Sequence, residues 1–262
     1  MKLLFVRARR KKRLFVLPKR ALALPAALLC ICALCLLTTL PASVTTAAPE
    51  RQLPIYCVQR DQKMVSLTFD AAWGNEDTQT LIDILQAHGV TATFFAVGDW
   101  AERYPESVKA LAEAGNEVMN HSSDHAHFSS LSSQQIAENI RSCNEKIAAL
   151  TGTEPTLFRC PYGEYDDHVI QGVEALGMTA VQWDVDSLDW KGISAQEIRQ
   201  RVLKNVRSGS IILFHNAAIH TPEALPGILD ALRAEGYTVV PVSQLLLQGE
   251  TRIDNTGRQW PK

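Results

Sequence analysis

Met64-Val65-Ser66-Leu67-Thr68-Phe69-Asp70-Ala71-Ala72-Trp73-Gly74 is the stretch on which the reading of this chain turns. Met64 to Phe69 is an apolar, strand-forming run that reads as a buried strand. Asp70 follows it directly, and small residues and Trp73-Gly74 come next. Downstream, short apolar runs alternate with amphipathic stretches. Asp77 to His88 has helical spacing closed by Gly89, and Val90 to Val97 is β-branched and aromatic. Pro105 to Ala114 predicts a helix, Glu117 to Met119 a strand, and Ser132 to Leu150 a long helix with Ser132 as N-cap. Further strands are expected at Leu157-Phe158, Thr179 to Trp183, Ile211 to Phe214 and Thr238 to Val240. Helices are expected at Asp167 to Leu176, Ser194 to Val206 and Pro222 to Ala234. Regular alternation of strand and helix is the mark of βα units around a parallel sheet, so the fold class is α/β. About seven units within residues 63–250 suit a small β/α barrel better than an open sheet.

Working outward, residues 49–62 read as a linker and residues 251–262 as a C-terminal tail. Residues 1–20 hold nine Lys or Arg and no acid, and no charge follows from Ala21 to Pro49. A basic n-region followed by an apolar run is an export signal. The run from Ala21 to Leu40 also approaches the ~20 residues that span a bilayer as a helix. Kept, it is a single-pass anchor in the cell membrane with the body outside. Cut near residue 48, it leaves a secreted protein. The anchor is the expected outcome. Beyond residue 20 the chain carries 17 basic and 28 acidic residues. Such an acidic body argues against nucleic acid as a partner, because phosphate contacts need clustered Lys and Arg. Cys30, Cys32 and Cys35 fall in the apolar run, and Cys57, Cys143 and Cys160 are widely spaced, so no disulfide framework or structural zinc site is read.

The residues able to do chemistry fall just after predicted strands, at the carboxyl edge where α/β sites assemble. Asp70 ends the first strand; alone it would pass for a turn or cap residue. His121-Ser122-Ser123-Asp124-His125 places two imidazoles four residues apart, on one face of a helical turn and within reach of one metal ion. Neutral imidazoles suit Zn, Co, Ni or Fe. Arg159-Cys160-Pro161-Tyr162-Gly163 is a rigid loop whose Arg could clamp a carboxylate. Asp184-Val185-Asp186-Ser187-Leu188-Asp189-Trp190 is acidic and ends in an aromatic, and Leu213-Phe214-His215 ends an apolar strand on a lone His. Singly, each is as well explained by ordinary structure.

In combination they fall in one order, and from about Met64 to Leu247 the chain resembles the polysaccharide deacetylase family, also known as the NodB-homology domain or carbohydrate esterase family four. The family's motifs TFDD, H(S/T)xxH, RxPY, DxxDW and LxH are matched here by TFDA, HSSDH, RCPY, DSLDW and LFH. The segment around Trp73-Gly74 resembles the sporulation-associated branch. The resemblance implies a distorted (β/α)7 barrel preceded by an N-terminal hydrophobic helix. It implies hydrolysis of N-acetyl groups from a cell-wall glycan such as peptidoglycan, with a divalent metal, Zn or Co foremost. It implies Asp70 as the base, His121 and His125 as metal ligands, and Arg159 holding Asp70 ionised. Tyr162 would offer a backbone N–H to the oxyanion, Asp186 would pair with His215 as the acid, and Trp190 and Leu213 would wall the acetyl pocket. The family's second Asp, its third metal ligand, is Ala71 here, and a methyl cannot coordinate a cation. His127, Asn120 and Asp124 are the candidate substitutes, while Asn75, Glu76 and Asp77 would cap the next helix. The alternative function is therefore a catalytically impaired, glycan-binding protein of the wall or of sporulation.

Overall fold

In the computed structural model the chain is described for residues 51–262. The expected N-terminal helix, with its signal-or-anchor outcome, lies outside the described residues. Among those described, no helix is long and apolar enough to cross a membrane.

Among the described residues, eleven strands and eight helices follow one another in chain order. The strands are β1 (Cys57–Val58), β2 (Met64–Ala71), β3 (Thr93–Ala96), β4 (Glu117–Asn120), β5 (Leu157–Phe158), β6 (Thr179–Ala180), β7 (Val185–Asp186), β8 (Ile211–His215), β9 (Thr238–Val239), β10 (Thr251–Ile253) and β11 (Arg258–Pro261). The helices are α1 (Thr78–Ala87), α2 (Gly98–Arg103), α3 (Pro105–Glu113), α4 (Ser133–Thr151), α5 (Asp167–Glu174), α6 (Ala195–Asn205), α7 (Thr221–Ala234) and α8 (Val242–Leu245). The main sheet runs β6-β5-β4-β3-β2-β8-β7, with β9 added against the start of β2, and every pairing in it is parallel. Seven parallel strands curve into a half-barrel wrapped by helices, the distorted (β/α)7 form expected from the sequence.

β2 shows why the sequence builds this. Val65, Leu67, Phe69 and Ala71 point into an apolar layer shared with α1, α3, α6 and α7. Ser66, Thr68 and Asp70 alternate with them on the other face and are equally buried. That polar face can be buried because each side chain on it is hydrogen-bonded: Ser66 Oγ donates to the Val240 carbonyl, Thr68 Oγ1 to the Ile212 carbonyl, and Asp70 accepts from Arg159. A second apolar cluster, with Phe95, Met119, Leu157 and Ile211, fills the inside of the curve, and a third seats α4 and α5 beneath β5. α4 begins with a Ser132–Gln135 capping box and ends at Gly152 in the left-handed region. α6 begins with the matching Ser194–Glu197 box.

Short strands fall within residues 51–62 and within residues 251–262. β1 pairs with β11, which pairs with β10, in a separate small sheet. Ile55 makes a parallel bridge to Val181 beyond β6, and Cys57 an antiparallel one to Ser210 before β8. The Val58 N–H donates to the Gly209 carbonyl at 2.9 Å. A side chain at Gly209 would place its Cβ 1.7 Å from the Val58 oxygen, so only glycine allows that approach. The helix α2 and the strand β7 also had no sequence expectation.

Candidate active site

The carboxyl ends of the strands converge as the alternation requires. Asp70 sits at the end of β2 opposite His215, the last residue of β8, as direct register partners. His121 follows β4, and Arg159 follows β5. Asp186 ends β7 beside Leu213 of β8.

Asp70 is buried, and its Oδ1 accepts from Arg159 Nη1 at 2.8 Å. Arg159 has no exposed surface. The same Nη1 donates to Thr68 Oγ1 at 2.8 Å, Nη2 donates to the Gln182 carbonyl at 3.1 Å, and the guanidinium lies 4.1 Å from the Phe95 ring centre. Burial alone would push the Asp70 carboxyl up, but Arg159, then His121 and His215, hold it below the usual carboxylate range. Arg159 thus bonds Asp70 directly, with Thr68 and Gln182 as further partners that the sequence did not point to.

His121 and His125 face each other with ring centres 5.1 Å apart. No helical turn brings them together. Residues 121–127 form a loop in which Ser122 (φ 73°) and His125 (φ 59°) are left-handed, and that geometry turns both rings inward. His121 Nδ1 donates to the Arg159 carbonyl at 2.8 Å, which leaves Nε2 3.4 Å from Asp70 Oδ2. Burial lowers the pKa of both imidazoles, that of His125 to about 4, so both rings are neutral at pH 7. His125 Nδ1 is buried without a partner.

His215 is held by an acid other than the one expected. Its Nδ1 bonds to Asp189 Oδ1 at 2.8 Å, and its backbone N–H donates to Asp189 Oδ2 at 2.8 Å. Thr221 Oγ1 and the Trp190 N–H complete the shell of the Asp189 carboxylate at 2.7 and 2.8 Å. Asp186 instead accepts the Leu188 N–H at 2.8 Å and touches the site through the cavity wall and its charge. Burial would lower the His215 pKa, but the bond from Asp189 and the charges of Asp70, Asp189 and Asp186 raise it above the ordinary imidazole value. Asp189 was open to discovery as the acid immediately before Trp190; nothing in the sequence singled out Thr221.

These side chains line one cavity of about 410 Å³, with Asp70, His121, His125 and His215 on its floor and Tyr162, Trp190 and Leu213 on its walls. Tyr162 is held at φ 59° in a turn over residues 161–163, its ring edge-on to His125 at 4.4 Å.

A metal held by three protein ligands does not fit this donor set. Among the described residues no group of three His, Cys, Asp or Glu is arranged to hold an ion. Ala71 contributes a methyl buried in the layer behind β2. The candidate substitutes are engaged elsewhere. His127 pairs with Glu164 at 2.8 Å, Asp124 accepts from Asn139 at 2.7 Å, and Asn120 binds Ser122, Ile140 and Asn144. Asn75 donates to Ser107 Oγ at 3.1 Å, and the Asp77 carboxylate accepts the Ala217 N–H at 2.9 Å rather than capping α1.

The Polysaccharide deacetylase family model matches residues 58–181. The chain is 34% identical over 200 residues to the uncharacterized protein YlxY of Bacillus subtilis, covering 76% of this chain but only 62% of that relative's length. It is 37% identical over 196 residues to a peptidoglycan-N-acetylglucosamine deacetylase of Bacillus cereus, covering 72% of this chain and 70% of the relative. Among solved structures it is similar to BA3943 of Bacillus anthracis, described as a CE4 family pseudoenzyme, at a TM-score of 0.71 and 34% identity over 74% of this chain and 68% of that one. A mutant of BA3943 is described as having restored enzymatic activity. Fold, ordered motifs and relatives agree, and the chain belongs to the polysaccharide deacetylase family.

Proposed function

We propose that the cleft binds an N-acetylated cell-wall glycan, peptidoglycan foremost, and that the chain as it stands holds this glycan without metal-assisted hydrolysis. The observation that carries the reading is the buried methyl of Ala71 where the family places its third ligand, next to a cavity lined by Asp70, His121, His125 and His215. Support comes from a B. cereus relative named for peptidoglycan deacetylation and from the pseudoenzyme similar in fold. The basic and apolar residues 1–48 support export, as a membrane anchor or a cut signal, with residues 63–250 facing the wall.

A second reading, deacetylation itself, is favoured by one specific arrangement. An ionised carboxylate, Asp70, and an imidazole of raised pKa, His215, meet at the same cavity, the pairing that general base and general acid require. Asp70 would take a proton from water and His215 would give one to the departing amine. The Tyr162 N–H would meet the oxyanion, while Trp190 and Leu213 would enclose the acetyl methyl.

The test is co-sedimentation of the full chain with peptidoglycan sacculi, with released acetate measured in added Zn or Co. Saturable co-sedimentation without acetate is expected. No co-sedimentation overturns the proposal. Metal-dependent acetate release that Asp70→Asn abolishes establishes the second reading in its place.

A further inference from the structure

Five large apolar side chains are exposed among the described residues; three of them line this cleft, Trp73 at 64%, Tyr162 at 55% and Trp190 at 57%, and a fourth, Ile219 at 78%, lines the cavity next to it. Exposed apolar surface gathered at one place marks a binding site rather than chance. Trp73 is set apart from the others because it borders three cavities. It lines the central one, a second of about 270 Å³ with Arg103, Tyr104 and Asp124, and a third of about 320 Å³ with Trp190, Asn216 and Ile219.

The backbone on both sides of the indole is pinned by buried groups. The Gly74 carbonyl accepts from Trp100 Nε1 at 3.0 Å and from Asn216 Nδ2. Asn216 Oδ1 accepts the Ala72 N–H at 3.2 Å, and the Asn216 N–H donates to the Asp70 carbonyl at 3.2 Å. Trp100 and Asn216 are both buried. Two buried side chains thus fix the backbone that carries an exposed aromatic ring at the edge of the cavity floored by Asp70 and His215. Fixing that backbone in advance removes part of the ordering cost of binding.

Resting on the glycan-binding reading, we infer that Trp73 is a sugar-stacking platform that divides the cleft into two arms, so that the site takes the interior of a glycan chain rather than a lone sugar or a chain end. A pyranose ring has an apolar C–H face and a polar rim. The first suits the indole, and the second suits the carboxylates and imidazoles of the floor. The two outer cavities share only Trp73 with each other and adjoin the central one through different residues, the Arg103 cavity through His125 and Tyr162 and the Ile219 cavity through Trp190 and His215. A single sugar over the floor fills neither arm.

The test is calorimetry of the full chain with N-acetylglucosamine oligomers from dimer to pentamer, repeated for Trp73→Ala and Trp73→Phe. Affinity is expected to rise with length up to the pentamer. Trp73→Ala is expected to weaken pentamer binding by about tenfold or more, and Trp73→Phe to restore part of the loss. As a readout independent of the variants' folding, protein labelled with 5-fluorotryptophan should show the Trp73 fluorine resonance shift on saturation with pentamer, the resonance being assigned by its loss in Trp73→Phe. Wild-type binding that Trp73→Ala leaves intact, length-independent affinity, or a fluorine resonance that saturation does not move each overturns the inference while leaving glycan binding in place. Failure of the wild-type chain to bind any oligomer or sacculus overturns both.

Discussion

Replacing Arg159 by Met should cost about 3–5 kcal/mol of stability at pH 7, the range found when one partner of a buried ion pair is removed. Arg159→Met keeps the length of the side chain and its packing near Phe95, and it deletes the charge. Asp70, buried in the half-barrel, then loses its bonded cation, and Thr68 Oγ1 and the Gln182 carbonyl each lose a donor. The cost compares with a total of about 5–15 kcal/mol for a typical domain, so the loss should be plain in urea unfolding followed by tryptophan fluorescence. The folded-state pKa of Asp70 lies below its unfolded value. Its contribution is therefore fully present above about 3.9, and in the native chain it is lost as pH falls through the folded value. Without Arg159, burial drives the same carboxyl upward instead. The gap between native chain and variant should therefore narrow as pH falls from 7 toward ~5, because protonation relieves the unpaired charge. Asp70→Asn added to Arg159→Met should recover part of the loss, as a double-mutant cycle across a direct contact requires. A loss below about 1 kcal/mol, or no recovery in the double variant, would refute the reasoning.

Three other outcomes follow from the same geometry. In a histidine NMR titration His215 should titrate above its ordinary value of ~6.5, and Asp189→Asn should lower that value more than Asp186→Asn does, since Asp189 makes the direct bond. Because the folded-state pKa is the raised one, the stability His215 contributes is full below ~6.5 and fades as pH rises through the folded value. In the same spectra His125 should stay neutral down to about pH 4, and a ring that charges near neutrality would contradict the burial described for it. Ala71→Asp places a carboxylate in a fully buried position and should lower the metal-free melting temperature, with Zn restoring it by mass action if the new carboxylate joins the two imidazoles. An unchanged melting temperature in both conditions would show that the position does not govern metal binding.

The sequence made most of the fold legible because β2 and β8 are buried on two faces and their neighbours alternate with capped helices. It hid the ends of the domain. Cys57-Val58 is too short to stand out, and its partners are Arg258 and Gln259 near the other end of the described residues, a pairing that no local pattern encodes. Strand ends were overdrawn for a related reason. Val90 to Thr91 and Val181 to Trp183 have strand-forming residues, but β3 begins only at Thr93 and β6 ends at Ala180, with Val181 continuing as a single bridge to Ile55. The site was legible as a set of residues and not as a set of partners. Asp186 and Asp189 are both acids in one loop, and only the left-handed Leu188 at φ 57° turns the second of them toward His215. The imidazoles were placed on a helix by their spacing, whereas two left-handed residues perform the same convergence in a loop. Trp73 had no visible role until the three cavities around it were seen.

The most direct test of the account follows the acetyl groups of an N-acetylglucosamine pentamer by proton NMR, in the presence of the full chain and added Zn or Co. Acetyl methyl signals that broaden on binding, with no growth of free acetate, are the predicted result. A free acetate signal that grows with time, needs the metal and vanishes in Asp70→Asn would contradict it.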